Sequence, residues 1–241
     1  ISPSFSGLIS GLPLGTGLSV YFIAYQEGTS FMLEGIPWGI AGLTSSLFFC
    51  LTYLLSGNYL KNRNKITAIL ISSFSSIVAF LLTGWIIHSL HLTVFSSLLL
   101  FIIFFIVNLI IIHKLKISRQ LPGLKKNSFC KNIFRAILVS LIILCITGTS
   151  GIFGTKWAGI FSAFPSTLFP LLILLHFEHN EKLYPSFIKG FSYGISTLAI
   201  FYLACFLLLP ALGLNLGFLI VYIISALYLF LFNQLKNYFI K

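Results

Sequence analysis

Apolar stretches run through this chain almost from end to end, and each is about as long as a membrane crossing requires. A bilayer core about 30 Å thick needs roughly 20 mostly apolar residues per helix. The sequence supplies about eight such stretches, over residues 3–25, 36–56, 66–88, 92–112, 133–150, 157–176, 186–210 and 214–235. Membrane β-strands would instead read as roughly 10-residue segments of alternating polarity. The blocks here are continuous and rich in Leu, Ile and Phe, so the expected fold class is all-α, a polytopic transmembrane helix bundle. Hydrophobic residues make up 58% of the chain and charged ones 8%, with a mean hydropathy of +1.03, which leaves no room for a soluble domain.

Polar and turn-forming clusters separate the stretches: Gln26 through Ser30, Gly57 through Lys65, His113 through Asn132, Gly148 through Gly154 and Glu178 through Pro185. At His88-Ser89-Leu90-His91 the separator is so short that the third and fourth helices read as a tight hairpin. Basic residues decide orientation, because cytoplasmic loops carry the excess of Lys and Arg. With eight crossings, Lys61, Arg63, Lys65, the group from Lys114 to Arg135, Lys182, Lys189, Lys236 and Lys241 all fall on one side. Only Lys156 falls on the other. That assigns the basic side and the C-terminus to the cytoplasm of a bacterial inner membrane, and Glu27 and Glu34 to the first outer loop. The net charge of +11 is thus a matter of topology and does not point to nucleic acid. The basic connection from Lys114 to Lys131 suits anionic headgroups as well as topology.

Cys50, Cys130, Cys145 and Cys205 show no metal-like pairing, and neither a disulfide nor a metal is expected. No cofactor is expected either. The chain starts at Ile1 without a signal-peptide pattern, which suggests a trimmed N-terminus.

The chain also repeats itself. Ser6-Gly7-Leu8-Ile9-Ser10-Gly11-Leu12-Pro13 aligns with Ala158-Gly159-Ile160-Phe161-Ser162-Ala163-Phe164-Pro165 at an offset of 152. After a three-residue difference in loop length, Glu34-Gly35-Ile36-Pro37-Trp38-Gly39-Ile40 aligns with Lys189-Gly190-Phe191-Ser192-Tyr193-Gly194-Ile195. The competing explanation is chance likeness between Gly-rich membrane helices. If the repeat is real, the first stretch corresponds to the sixth and the second to the seventh. Five crossings separate the partners, an odd number, so the two copies cross the bilayer in opposite senses. Such inverted repeats are a feature of many secondary transporters, whose sites lie near the midplane. The expected organisation is a first membrane repeat over 1–90, a linking helix and basic loop over 91–130, and a second repeat over 131–241.

From Lys131 to about Phe232 the chain also resembles a known family. Phe134-Arg135-Ala136-Ile137-Leu138, Trp157 through Pro165, His176-Phe177-Glu178-His179 and Lys189-Gly190 look like the GlpM-like small bacterial inner-membrane proteins. This resemblance implies a four-helix unit beginning at the fifth stretch. The first half would then own an equivalent helix ahead of Ile1, for nine helices in the full-length protein, with the fourth stretch as the linker that inverts the second unit. It implies architecture rather than activity.

Several motifs carry two readings each. Gly7-x3-Gly11, Gly35-x3-Gly39, Gly190-x3-Gly194 and Gly159-x3-Ala163 put small residues on one helix face, which serves close packing first and substrate contact second. Pro13 and Pro165 occupy equivalent repeat positions, where each removes a backbone donor; they serve packing, or else break a helix beside a cavity. Trp38 and Tyr193, within the second aligned block, join them as candidate cavity or gate residues. No acidic residue lies deep within a stretch. Glu178, with His176 and His179, forms the densest titratable cluster, read as a solvated loop or as a proton gate at the cytoplasmic mouth. His88 and His91 read as an interfacial turn, and Trp38, Trp85, Trp157 and Tyr184 as interfacial anchors.

The chain has no P-loop, no Gly-x-Ser-x-Gly, no His-Glu-x-x-His and no paired carboxylates within a stretch, so an enzyme is not the expectation. The function expected is a small secondary transporter or permease moving a small solute by alternating access of two inverted halves. The alternative is a non-transporting assembly or envelope-maintenance protein. Its partners are then the bilayer and, for a transporter, a small-molecule solute.

Overall fold

A computed structural model describes residues 9–115, 117, 129–179 and 183–239, with side chains described over 9–115, 117, 132–178 and 183–234. The elements are α1 (Leu14–Glu27), α2 (Thr29–Tyr59), α3 (Lys65–His88), α4 (Val94–Lys114), α5 (Phe129–Ser162), α6 (Leu168–His179), α7 (Tyr184–Gly194), α8 (Ser196–Leu212) and α9 (Leu214–Phe239). The described residues contain no strand. Six helical stretches are long and apolar enough to cross a bilayer: Thr29–Tyr59, Lys65–His88, Val94–Lys114, Asn132–Ser162, Tyr184–Leu212 and Leu214–Gln234. The chain is a membrane-embedded, multi-pass helical protein.

Burial follows the logic of a lipid solvent. In α2, 72% of the apolar window is buried, against 28% in α3 and 22% in α4, so α2 is the central post of the bundle. The outer helices turn large apolar side chains such as Phe74, Trp85, Phe95 and Leu144 outward, where acyl chains would meet them. Small polar residues face inward instead: Ser45, Ser46, Ser72, Ser76 and Ser97 are all buried. The short α3–α4 hairpin is present over 89–93, and Thr93 and Ser96 close a capping box at the start of α4.

Two of the eight expected stretches are not continuous helices. The first is interrupted over 10–13, immediately ahead of α1, and the sixth over 163–167, between α5 and α6. The loop expected from Gly148 to Gly154 is helical as far as a single break at Gly154 (φ 78°, ψ 175°). The reason is local. Thr149 and Ser150 donate their hydroxyls back to the carbonyls of Cys145 and Thr147, both at 2.7 Å, so these polar residues sit within a helix at no cost in unpaired groups.

Side-chain neighbours give the direction of each segment. In α5 the arm before Gly154 folds back along the arm after it and along α6: Phe134 shares a cleft with Ile173 and Phe177, and Leu141 and Cys145 share another with Phe161 and Phe169. Along α2, Gly35 lies against Gly159, Ser46 bonds the Ala163 carbonyl and Tyr53 meets His176, so α2 runs parallel to 155–179. In contrast, α1 runs antiparallel to residues 151–166, with Gly15 against Ser166 at one end and Glu27 against Gly151 at the other. Against α9 it is antiparallel too, through Tyr21 Oη to Asn215 Oδ1 at 2.9 Å and Tyr222 Oη to the Pro13 carbonyl at 3.1 Å.

The bundle therefore has two unlike ends. Lys61, Arg63, Lys65, Lys114 and Arg135 cluster at one, the basic end. At the other the chain turns at Gly28, over 89–93, at Gly154 and at Gly213, and Lys156 places its Nζ 4.9 Å from the centroid of the Trp38 ring.

Candidate functional site

The two interruptions meet. Pro13 and Pro165 are both buried and each stands just ahead of a new helical segment, where proline is tolerated because it has no N–H to lose. The carbonyls that the prolines leave without a partner are satisfied locally, Ile9 accepting from Leu12 N at 2.9 Å and Phe161 from Phe164 N at 3.0 Å. Each proline carbonyl accepts the first bond of the new helix, from Gly17 N at 2.7 Å and from Phe169 N at 2.9 Å, and Pro13 also accepts from Tyr222 Oη. Ser46 Oγ donates to the Ala163 carbonyl at 2.5 Å. The first turn of α1 abuts the residues that start α6, with Gly15 against Ser166 Oγ and Thr167. The junction of α7 and α8 lies beside them: Ile195 keeps right-handed helical backbone there, and the backbone of the preceding Gly194 packs on Gly11.

The chemistry at this crossing is set by helix ends. The first N–H groups of a helix lack intrahelical acceptors, and the aligned peptide dipoles leave a partial positive charge there. Here two amino ends, those of α1 and α6, face one another. The chain contains no aspartate, and none of the three described glutamates is at the crossing: Glu27 ends α1 at the far end, Glu34 is exposed near the start of α2 and Glu178 is at the basic end. Ser166 is 1% exposed and its Oγ has no hydrogen-bond partner; Ser192 and Thr197, flanking the α7–α8 junction, are buried in the same condition. Facing helix ends with spare hydroxyls suit an electronegative group better than a cation.

Packing glycines surround the crossing. The backbones of Gly35, Gly39 and Gly159 are in mutual contact, and Gly42 lies against Ile160 and Ala163. Gly190 is buried within α7. Gly7 lies outside the described residues. Trp38 is half-buried under Lys156 with its indole N–H unpaired, one turn from Gly35, whereas Tyr193 is half-buried beside the α7–α8 junction.

A second cluster lies toward the basic end. His176 of α6 is 3% exposed, its Nδ1 3.3 Å from Tyr53 Oη of α2. The imidazole stacks on the Tyr184 ring of α7 at 4.5 Å and 24°, and Tyr53 meets Tyr184 edge-on at 5.7 Å. Tyr184 Oη makes a long 3.4 Å bond to Asn58 Oδ1 and closes over Gly57. This corrects two expectations. The solvated loop expected around His176 is helix instead, because α6 restarts at Leu168 and continues to His179; Tyr184 is fully buried and is no interfacial anchor, because it serves as the lid of the imidazole stack. Glu178 is half-buried and lines an apolar cleft with Ile66, Phe134 and Phe177, while the side chain of His179 lies outside the described residues. His88 stacks on Trp157 at 5.1 Å.

Sequence reasoning did not single out Tyr53, Tyr202, Ser162 or Ser166. A usable signal existed for Tyr202, which sits inside an apolar stretch rather than at its end, where a buried hydroxyl must find a partner. Tyr202 finds Ser162 at 2.7 Å. Asn108, buried in α4 with neither amide atom paired, had the same signal. No family model, curated protein or solved structure matches the chain.

Proposed function

We propose that this chain is a small secondary transporter of a bacterial inner membrane that moves a small solute by alternating access of two oppositely oriented halves. One observation carries the reading: two proline-interrupted segments, which the repeat read from the sequence would pair, run antiparallel and meet amino end to amino end inside the bundle. Discontinuous helices of this kind build midplane solute sites in secondary transporters. Irregular backbone is tolerated at that depth only where protein or a water-filled cavity surrounds it.

The packing supports the same symmetry. Contact of Gly159 with Gly35 and Gly39 has its counterpart, within one helical turn, in contact of Gly11 with Gly194. Counting the two arms of α5 separately and joining 155–162 to α6 gives eight crossings from the segment of Pro13 to α9. In that count the basic end is cytoplasmic and so is the C-terminus. The second half is then a GlpM-like unit, carried by the stretch from Ala158 to Pro165 and the polar residues after α6.

The test is flux. Purified protein in phosphatidylethanolamine–phosphatidylglycerol vesicles is expected to raise the permeation of at least one solute from a panel of small anions, zwitterions and neutral metabolites above that of empty vesicles. Gly11→Leu, which would drive the α1 and α7 segments apart, is expected to abolish it. A flat response across the panel from correctly folded protein overturns the proposal.

A further inference from the structure

Among the described side chains, His176 is the one histidine, lysine, arginine or glutamate that is buried. An ionisable group enclosed in a membrane bundle is costly, and packing alone gives no reason to choose one over Phe or Leu. Its enclosure is also specific. Tyr53 presents a hydroxyl to one ring nitrogen and Tyr184 a ring face to the imidazole plane, and the three belong to α2, α6 and α7.

We propose that His176 is a proton-binding site, and that its protonation state sets how α6 is joined to α2 and α7. As the coupling site of a transporter it rests on the function proposed above; as a proton site it does not.

The chemistry follows from hydrogen-bond inventory. A neutral imidazole has one N–H and one bare nitrogen, so Tyr53 can donate to Nδ1 or accept from it. A proton from water at the basic end adds to the bare nitrogen and gives an imidazolium that only donates. Tyr53 must then accept and turn its own proton elsewhere, so the bond linking α2 to α6 has a single permitted direction in the charged state. The stack on Tyr184 becomes a cation–π contact at the same moment, tightening α6 against α7. The groups that face the ring from its neighbours are Tyr53 of α2, Tyr184 of α7 and Lys65 of α3, whose Nζ lies 5.2 Å from the centroid of the adjacent Phe177 ring. Glu178 follows two residues along on α6, and Asn58 receives the Tyr184 hydroxyl.

The experiment uses the full chain in the same vesicles. Nitrogen-15 histidine spectra, with the His176 signal assigned by its loss in His176→Gln, are expected to show the ring gaining a proton as the pH is lowered. Tyr53→Phe keeps the ring contacts and removes only the hydroxyl. It is expected to lower the proton affinity about threefold, because a hydrogen bond to a charged partner outweighs one to a neutral partner. With a solute that the panel identifies, an inward proton gradient is expected to accelerate uptake by the wild type and to leave residual uptake by His176→Gln unaffected. A ring that keeps one protonation state throughout, or that titrates identically in Tyr53→Phe, overturns the proton site. If that happens while solute still moves, the transport reading survives. Titration that depends on Tyr53 without flux of any solute sinks the transport reading and keeps the proton site, whereas titration with gradient-indifferent flux removes the coupling.

Discussion

The carbonyl of Gly35 lies so close to the backbone of Gly159 that a Cβ has no room there, and a Cβ at Gly35 would in turn lie 2.6 Å from the Thr155 carbonyl. The central post and the second arm of α5 thus touch backbone to backbone. In lipid, where apolar side chains gain little by leaving their solvent, such close approach is a main source of helix association.

Gly159→Ala is therefore expected to destabilise the bundle by about 1–3 kcal/mol, the usual cost of overpacking. Gly148→Ala is the control, since a Cβ at Gly148 meets nothing within 4 Å. Thermal melting in detergent, followed by size-exclusion recovery, should show a clear loss for the first and no loss for the second.

Ser162 and Tyr202 give an asymmetric pair of outcomes. Ser162 donates its one proton to the Gly159 carbonyl at 2.7 Å, so it accepts from Tyr202 Oη, also at 2.7 Å. Tyr202→Phe removes one interhelical bond and leaves no group stranded, for a cost of about 0.6–1.7 kcal/mol. Ser162→Ala strands a buried tyrosine hydroxyl and is expected to cost about 1–3 kcal/mol. Equal melting shifts in the two variants would contradict this donor assignment.

These same contacts mark how far the sequence could be read. The ends of α3 and α4 lie where His88 and Lys114 close apolar stretches, and the turn between them is where the short polar break stands. Pro13 and Pro165 were legible as interruptions because a missing N–H is a property of the residue itself. Their meeting was not legible, since neither residue carries information about its partner in space. The segment from Gly148 to Gly154 read as a loop because Thr149 and Ser150 look polar, although their hydroxyls are absorbed by their own helix. The His176 cluster was hidden for a related reason: Tyr53, His176 and Tyr184 come from three helices, and two of them stand beside a polar connection that made burial look unneeded.

Gly154 and Gly213 have nearly the same backbone, φ 78° and ψ 175° against φ 72° and ψ 175°. That region is essentially reserved for glycine, and other residues held there cost about 1–3 kcal/mol. Each Ala variant is expected to lower the melting temperature even though no side chain obstructs a Cβ at either position. An unchanged melt for both would show that the turns have other ways to close.

Sidedness is open to thiol labelling in a chain whose native cysteines are replaced. Asn62→Cys and Pro122→Cys are expected to react with an impermeant maleimide from one face of sealed vesicles, and His91→Cys from the other. Reaction of positions 62 and 122 from different faces would break the eight-crossing count.

The single-residue corners at Gly28, Gly154 and Gly213, with the short reversal over 89–93, leave the face away from the basic residues without slack. Among the described residues no connection on that side is long enough to hinge over an opening. Any closing there must come from whole helices leaning together, and a protease arriving from that direction would find no loose strand to thread into its cleft.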